Sequence, residues 1–492
     1  MFRRMKLSHR VAALAVAALL LPGLRAFAQT PSPGSGDEFE QDNGKPQPKS
    51  DKSDKAPDKS DEGSAKPEAP PEPAVTIAPP APAAAEPASD NPYVPYAPPP
   101  ARMGIEVPNA SIHFGMLLQP QLEVAGGPDA TLTSKNLFLR RTRFIVGGTL
   151  FKYFEFFFDT DYPNLFKNDS ADTMAGTYKN APGMNIQDAY ITFKPLGDLL
   201  KIDAGFMLPP GSHNQLESAA KLYGADYFVN TFRRSIFNNN DPLGSAGQSP
   251  VGRDTGVQLR LLVLGGHLEA RAGVFQGVRN NPIPASTGVV AEVGDYNIFR
   301  FAGRVQVNVL DAEPGFFYQG TYLGTKKILS FGGFYDYQYQ QSGATNPTYK
   351  YYGGDAILDL PVGPGVLTAQ VDFVRWNDQY GTSVTIMTGN SSVTVAPTNT
   401  AIMGQIGYLI APIMLSPFFE IEHLSAPNGE DATGADTGPN PTNPSENRYG
   451  GGVSFWPYGH NMNLKLLASH VTRNPAPHGF DQVNLQWQLY FF

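Results

Sequence analysis

The stretch Val483-Asn484-Leu485-Gln486-Trp487-Gln488-Leu489-Tyr490-Phe491-Phe492 alternates apolar and polar residues as far as Phe491. Successive side chains of an extended strand point to opposite faces. Val483, Leu485, Trp487, Leu489 and Phe491 therefore share one face, and Asn484, Gln486, Gln488 and Tyr490 the other. In a soluble sandwich the apolar row would face a core, whereas in a membrane barrel it faces lipid and the polar row faces the lumen. Length chooses between them: globular strands cluster near 5 to 6 residues, and a tilted spanning strand takes about 9 to 11. An apolar terminal edge of this length would also invite aggregation in water.

The same period runs back through the chain. Arg141, Arg143, Ile145, Gly147 and Thr149 oppose Thr142, Phe144, Val146 and Gly148; Tyr153, Glu155, Phe157, Asp159 and Asp161 oppose Phe154, Phe156 and Phe158. Arg300, Arg304, Gln306 and Asn308 oppose Phe299, Phe301, Val305 and Val307. The pattern predicts strands near 111–122, 136–149, 151–162, 185–195, 199–207, 252–263, 267–278, 297–310, 327–338, 349–360, 366–376, 400–410, 413–423, 446–456, 460–471 and 481–492. Connections alternate between short turns, as at Gly197-Asp198, and long polar loops at 163–184, 208–251, 377–399 and 424–445. That asymmetry predicts an antiparallel transmembrane β-barrel of about 16 strands with short periplasmic turns. Phe316 to Leu323 has a strand-like pattern, but counting it would give an odd total, so 311–326 is read as a long periplasmic connection.

The insert at 208–251 is too long for a structureless loop in a compact domain. It is expected to fold inward and narrow the pore, with a helical turn suggested by Leu216, Ala219, Ala220 and Tyr223.

The chain has 492 residues with 50 Gly, 45 Pro and no Cys, and a net charge of −8. The composition fits an all-β protein rich in turns. Without cysteine there is no disulfide, thiolate or Cys-ligated metal chemistry, and the acidic balance argues against nucleic acid as a partner. No cofactor is expected. Arg3, Arg4, Lys6 and Arg10 precede the apolar run Val11–Leu21 and the small-residue site Ala26-Phe27-Ala28, so 1–28 reads as a signal peptide. Residues 29–110, rich in Pro, Ala, Lys, Asp and Ser, read as a disordered periplasmic linker, and 111–492 as the barrel.

Function in a barrel falls to the inner rows and the inward loop. Arg141, Arg143, Arg260, Arg271, Arg300 and Arg304 on the wall, with Arg233 and Arg234 on the loop, are the candidate pore and anion-binding residues; Lys194, Lys201 and Lys465 join them as lumen cations. Guanidinium groups bind phosphate and carboxylate in a bidentate fashion. Carboxylates on the same rows, among them Asp159, Asp161, Asp203, Glu269, Asp336 and Asp355, leave open a bracing role for the wall arginines. Ser212-His213 and the Glu420/Glu422 pair are weak catalytic candidates, since neighbours on a strand diverge and lumen charges commonly share a face. No enzymatic role is expected.

Leu139-Arg140-Arg141-Thr142-Arg143, Phe206-Met207-Leu208-Pro209-Pro210-Gly211, Phe232-Arg233-Arg234, Gly252-Arg253-Asp254-x-Gly256, Gly320-Thr321-Tyr322-Leu323-Gly324-x-Lys326-Lys327 and the aromatic C-terminus carry a resemblance over about 110–492. The chain resembles the phosphate-selective porin O and P family of bacterial outer-membrane channels. The resemblance implies a trimer of 16-stranded barrels with a basic constriction, in the outer membrane, passing small anions such as phosphate by passive diffusion. A general-diffusion, sugar or dicarboxylate porin of the same fold is the alternative.

Overall fold

The computed structural model describes residues 103–126, 133–169, 178–179, 184–228, 231, 252–277, 299–338, 349–377, 384–388, 391–395, 398–430, 436–439, 445–474 and 479–492. The expected signal peptide, and the linker as far as 102, lie outside them.

Sixteen long strands follow in chain order: β1 Ala110–Gly126, β2 Thr133–Leu150, β3 Phe154–Asp161, β4 Asn185–Phe193, β5 Leu200–Met207, β6 Asp254–Val263, β7 Leu268–Phe275, β8 Arg300–Asn308, β9 Ile328–Gln338, β10 Tyr349–Val362, β11 Gly365–Asn377, β12 Thr398–Ile410, β13 Leu415–Ser425, β14 Ser445–Tyr458, β15 Met462–Asn474 and β16 Phe480–Phe491. Each pairs antiparallel with the next, and β16 closes onto β1 in a register that runs from Met116↔Phe491 to Gly126↔Asp481. The fold is a closed sixteen-stranded antiparallel barrel, and each expected strand coincides with one of these. Closure matters because it leaves no open sheet edge with unpaired backbone groups.

The two rows of each strand sort as the alternation requires. On β16, Gln486 and Gln488 are fully buried in the interior while Trp487 stands 55% exposed outside. The same inversion of a water-soluble protein holds on β2, where Arg141 and Arg143 are buried and Phe144 is exposed, and on β8, where Arg304 and Gln306 are buried and Val305 is exposed. Pro120 lacks the N–H a ladder needs, and the β1–β2 register breaks between Leu118 and Pro120. Short turns join β2 to β3, β4 to β5, β6 to β7, β10 to β11, β12 to β13 and β14 to β15 at one end of the barrel. Gly363, between β10 and β11, takes the left-handed φ of 57° that so tight a reversal needs.

Two features were not expected. Met103–Val107 forms a further strand, paired antiparallel with Ala110–Phe114 alongside the start of β1. The wall therefore begins before 111, and the last residues assigned to the linker belong to it. Residues 309–327 do connect β8 to β9, yet the connection does not stay at the rim: Phe316, Tyr318, Tyr322 and Leu323 are buried.

Candidate functional site

After β5 the chain turns into the lumen. The expected helical turn at 214–223 is confined to α1, His213–Leu216, capped by Ser212, whose Oγ accepts from the Gln215 N–H. The loop is tied to a continuous arc of the wall, from β10 to β16, by groups of matched polarity. On β10, β11 and β13, wall carboxylates accept backbone N–H groups: Asp355 from His213 at 3.1 Å, Asp372 from Asn214 at 2.9 Å and Glu422 from Thr231 at 3.0 Å. On β15 and β16, wall donors reach loop carbonyls: Lys465 Nζ to Leu222 and Gly224 at 2.6 and 2.9 Å, and Gln488 to Ala220 at 2.8 Å. Asp226 binds Arg140 at 2.6 Å and also Arg141, and these two cations hold its carboxyl well below the ordinary range although burial alone would raise it.

The β8–β9 connection meets this loop inside the lumen. Ser218 N–H donates to Tyr318 O at 3.0 Å, Tyr318 N–H to Leu216 O at 2.9 Å and Gly320 N–H to Lys221 O at 3.0 Å. His213 locks the junction: its ring nitrogens lie 3.0 Å from Glu217 and 3.4 Å from Glu313, and the ring stacks on Tyr318 at 4.9 Å. Burial by itself pushes the imidazole down, but Glu313 and Glu217 outweigh it and raise the pKa from 6.5 to about 10. Burial pushes Glu313 up, and His213 outweighs it, holding Glu313 below its ordinary 4.5.

The contribution of His213 is complete below 6.5 and lost as pH rises to about 10, and that of Glu313 is complete above 4.5 and lost below it. The difference in thermal midpoint between the native chain and His213→Gln is therefore expected to be largest between pH 4.5 and 6.5 and to vanish above about 10. A difference that does not change with pH would mean that the imidazole is not charged in the junction.

The six wall arginines are all ion-paired. Arg143 binds Asp159 at 3.2 Å and Asp161 at 3.1 Å, Arg260 binds Asp203 at 2.6 Å, Arg271 binds Glu269 at 2.7 Å and Arg304 binds Asp355 at 2.6 Å. Arg300 sits between Asp254 and Asp336, and Arg141 shares Asp226 with Arg140. Four cations, Lys201, Arg260, Arg271 and Arg304, face one another directly across β5 to β8. Like charges in this register repel. Besides their carboxylates, the row is covered by aromatics of the β8–β9 connection: the Phe316 ring lies 5.1 and 5.7 Å from the Arg260 and Arg271 guanidiniums, and the Tyr318 ring 4.8 and 5.3 Å from those of Arg271 and Arg304. Of the other lumen cations, Lys194 binds Glu155 and Lys201 binds Asp198. Arg233 and Arg234 lie outside the described residues.

A cavity of about 230 Å³ lies between residues 217–221 of the loop and the wall. Its polar lining includes Arg143, Asp159, Arg253 and Glu217, and its aromatic lining Phe157, Phe317, Tyr490 and Phe492. Phe492 reaches the lumen because Gly115 and Gly147 make room for it: a Cβ on either would come within 2.8 Å of its ring.

No family model and no curated protein matches the chain. Among solved structures, it is similar to the outer membrane channel DcaP of Acinetobacter baumannii, at 14% identity over 79% of this chain and 99% of that one, with a TM-score of 0.48. An anion-selective porin from Comamonas acidovorans matches at 10% identity over 78% and 100%, TM-score 0.47, and OprB of Pseudomonas putida at 11% over 77% and 94%, TM-score 0.45. At such values no solute or assembly carries over to this chain.

Ser212 and His213 do not form a dyad, since the hydroxyl caps α1 and the imidazole is held by two carboxylates. Glu420 accepts from Gln405 at 3.2 Å and Glu422 from the Thr231 N–H. Among the described residues no three His, Cys, Asp or Glu side chains are grouped to hold a metal ion. The sequence reading gave Asp226, Glu313, Phe316 and Tyr318 no place in the lumen. The one available signal was Phe316-Phe317-Tyr318 itself, because a turn in water has no use for three successive aromatics.

Proposed function

We propose that this protein is a passive diffusion channel of the bacterial outer membrane, passing small hydrophilic solutes through a lumen narrowed by the loop after β5. The observation that carries this reading is the inverted barrel, with apolar residues exposed outside and polar residues buried inside. The leader-like residues 1–28 agree with export. Purified protein added to a planar bilayer should give stepwise ion conductance, and a barrel that inserts without conducting would overturn the reading.

The preference for phosphate implied by the family resemblance is a finer proposal. With the wall arginines paired, it rests chiefly on Arg233 and Arg234. Replacing both with alanine is expected to shift the reversal potential in a salt gradient toward cations, and an unchanged potential would remove them from selectivity. Phosphate that fails to compete with chloride conductance favours the alternative, a channel of this fold for another solute. The trimer belongs to the same proposal and is read by cross-linking in detergent.

A further inference from the structure

We propose that the cavity beside the inward loop is a subsite for a neutral, ring-shaped polyhydroxylated solute, a monosaccharide unit. The inference rests on the channel reading and names the solute class of its constriction.

The polar side carries both signs in near balance. Arg143 is paired with Asp159 and Asp161, Arg253 with Asp188 at 3.1 Å, and Glu217 with His213; Lys221 also lines the space. A phosphate would meet Asp159 and Glu217, and a cation would meet Arg143 and Arg253. An uncharged polyol meets donors and acceptors without opposing either sign.

The Asp159 carboxylate adds a directional request. It is 3% exposed, and its Oδ1 is buried with no hydrogen-bond partner while Oδ2 holds Arg143. A buried acceptor left unpaired is costly, and a turn of the carboxylate toward the cavity that Asp159 lines lets a solute hydroxyl donate to Oδ1 and removes that cost.

The aromatic lining lies beside the polar groups, with Phe157 two residues from Asp159 on β3, and is not closed on itself. The Phe157 ring lies 5.7 Å from both Phe317 and Phe492, tilted by 58° and 88°, so the rings form an angled wall and not a sealed stack. Phe157, Phe317 and Phe492 are half-buried. Aromatic ring surface beside hydrogen-bonding groups matches a sugar ring, which has a C–H face and an equatorial belt of hydroxyls. The volume of about 230 Å³ is below the roughly 300 Å³ at which pockets for drug-sized ligands begin, and suits one ring. Weak binding at a constriction speeds entry without trapping the solute.

The test is single-channel recording on the full chain, with D-glucose and, separately, its open-chain counterpart sorbitol. Glucose is expected to reduce the current saturably, and sorbitol much less. Asp159→Asn should raise the half-blocking glucose concentration about tenfold, the order of one hydrogen bond to a charged group, and, separately, Phe317→Leu should raise it several-fold by removing an aromatic face. Phe317→Leu leaves every ion pair in place, so it serves if Asp159→Asn fails to fold. Normal conductance without glucose block, equal block by sorbitol, or block by phosphate but not glucose would each overturn the subsite and leave the channel standing. Absence of any conductance would instead overturn the channel.

Discussion

Arg304→Ala is expected to lower the thermal unfolding midpoint of the barrel in detergent sharply and to loosen the inward loop in the same step. The guanidinium gives Asp355 two hydrogen bonds, at 2.6 and 2.7 Å, and donates to the Gly211 carbonyl at the loop entrance at 3.0 Å. Both side chains of the pair are almost wholly buried. Alanine would leave the carboxylate without its charge partner, and breaking a buried pair from one side costs about 3–5 kcal/mol. Arg304→Met combined with Asp355→Asn should recover much of the loss, because it leaves no buried charge unpaired. The temperature at which the folded band disappears on a gel reads the effect. If Arg304→Ala melts with the native chain and loses anion preference instead, the residue is a solute ligand and not a brace.

Excising the loop segment 213–226 and closing it with a Gly-Ser linker should raise single-channel conductance several-fold while the barrel stays folded. The segment runs inside the lumen from Asp355 and Asp372 on β10 and β11 to Lys465 and Gln488 on β15 and β16, held by hydrogen bonds at both ends. The groups it leaves behind are not stranded as Asp355 is in Arg304→Ala, because the vacated lumen admits water to them. The sixteen strand pairings do not pass through the loop. Unchanged conductance would mean that the solute path avoids this segment, and the cavity beside it would lose its place in the path.

The strands and their inward faces were legible because alternation is a local property. Gln486 and Trp487 are neighbours in sequence and occupy different media, and only their chemistry is needed to say which faces inward. The fate of the arginines was not legible in the same way. Arg141 meets Asp226 from 85 positions away, Lys465 meets the Leu222 carbonyl from 243, and the row Lys201, Arg260, Arg271 and Arg304 exists only through the registers of four strands. Met103–Val107 escaped notice because its partner is an edge that β16 leaves open only once the barrel has closed.

The residue order alone thus determined a barrel of about sixteen strands, the faces of its walls, and a long loop due to enter it, since each follows from a two-residue period or from the length of a polar insert. The tertiary structure decided that the six candidate wall arginines are paired, that the β8–β9 connection rises to meet the loop, and that an aromatic cavity with charges of both signs lies beside them. Those outcomes depend on strand register and on the meeting of segments far apart in the chain, and neither is set by the local chemistry of any one strand.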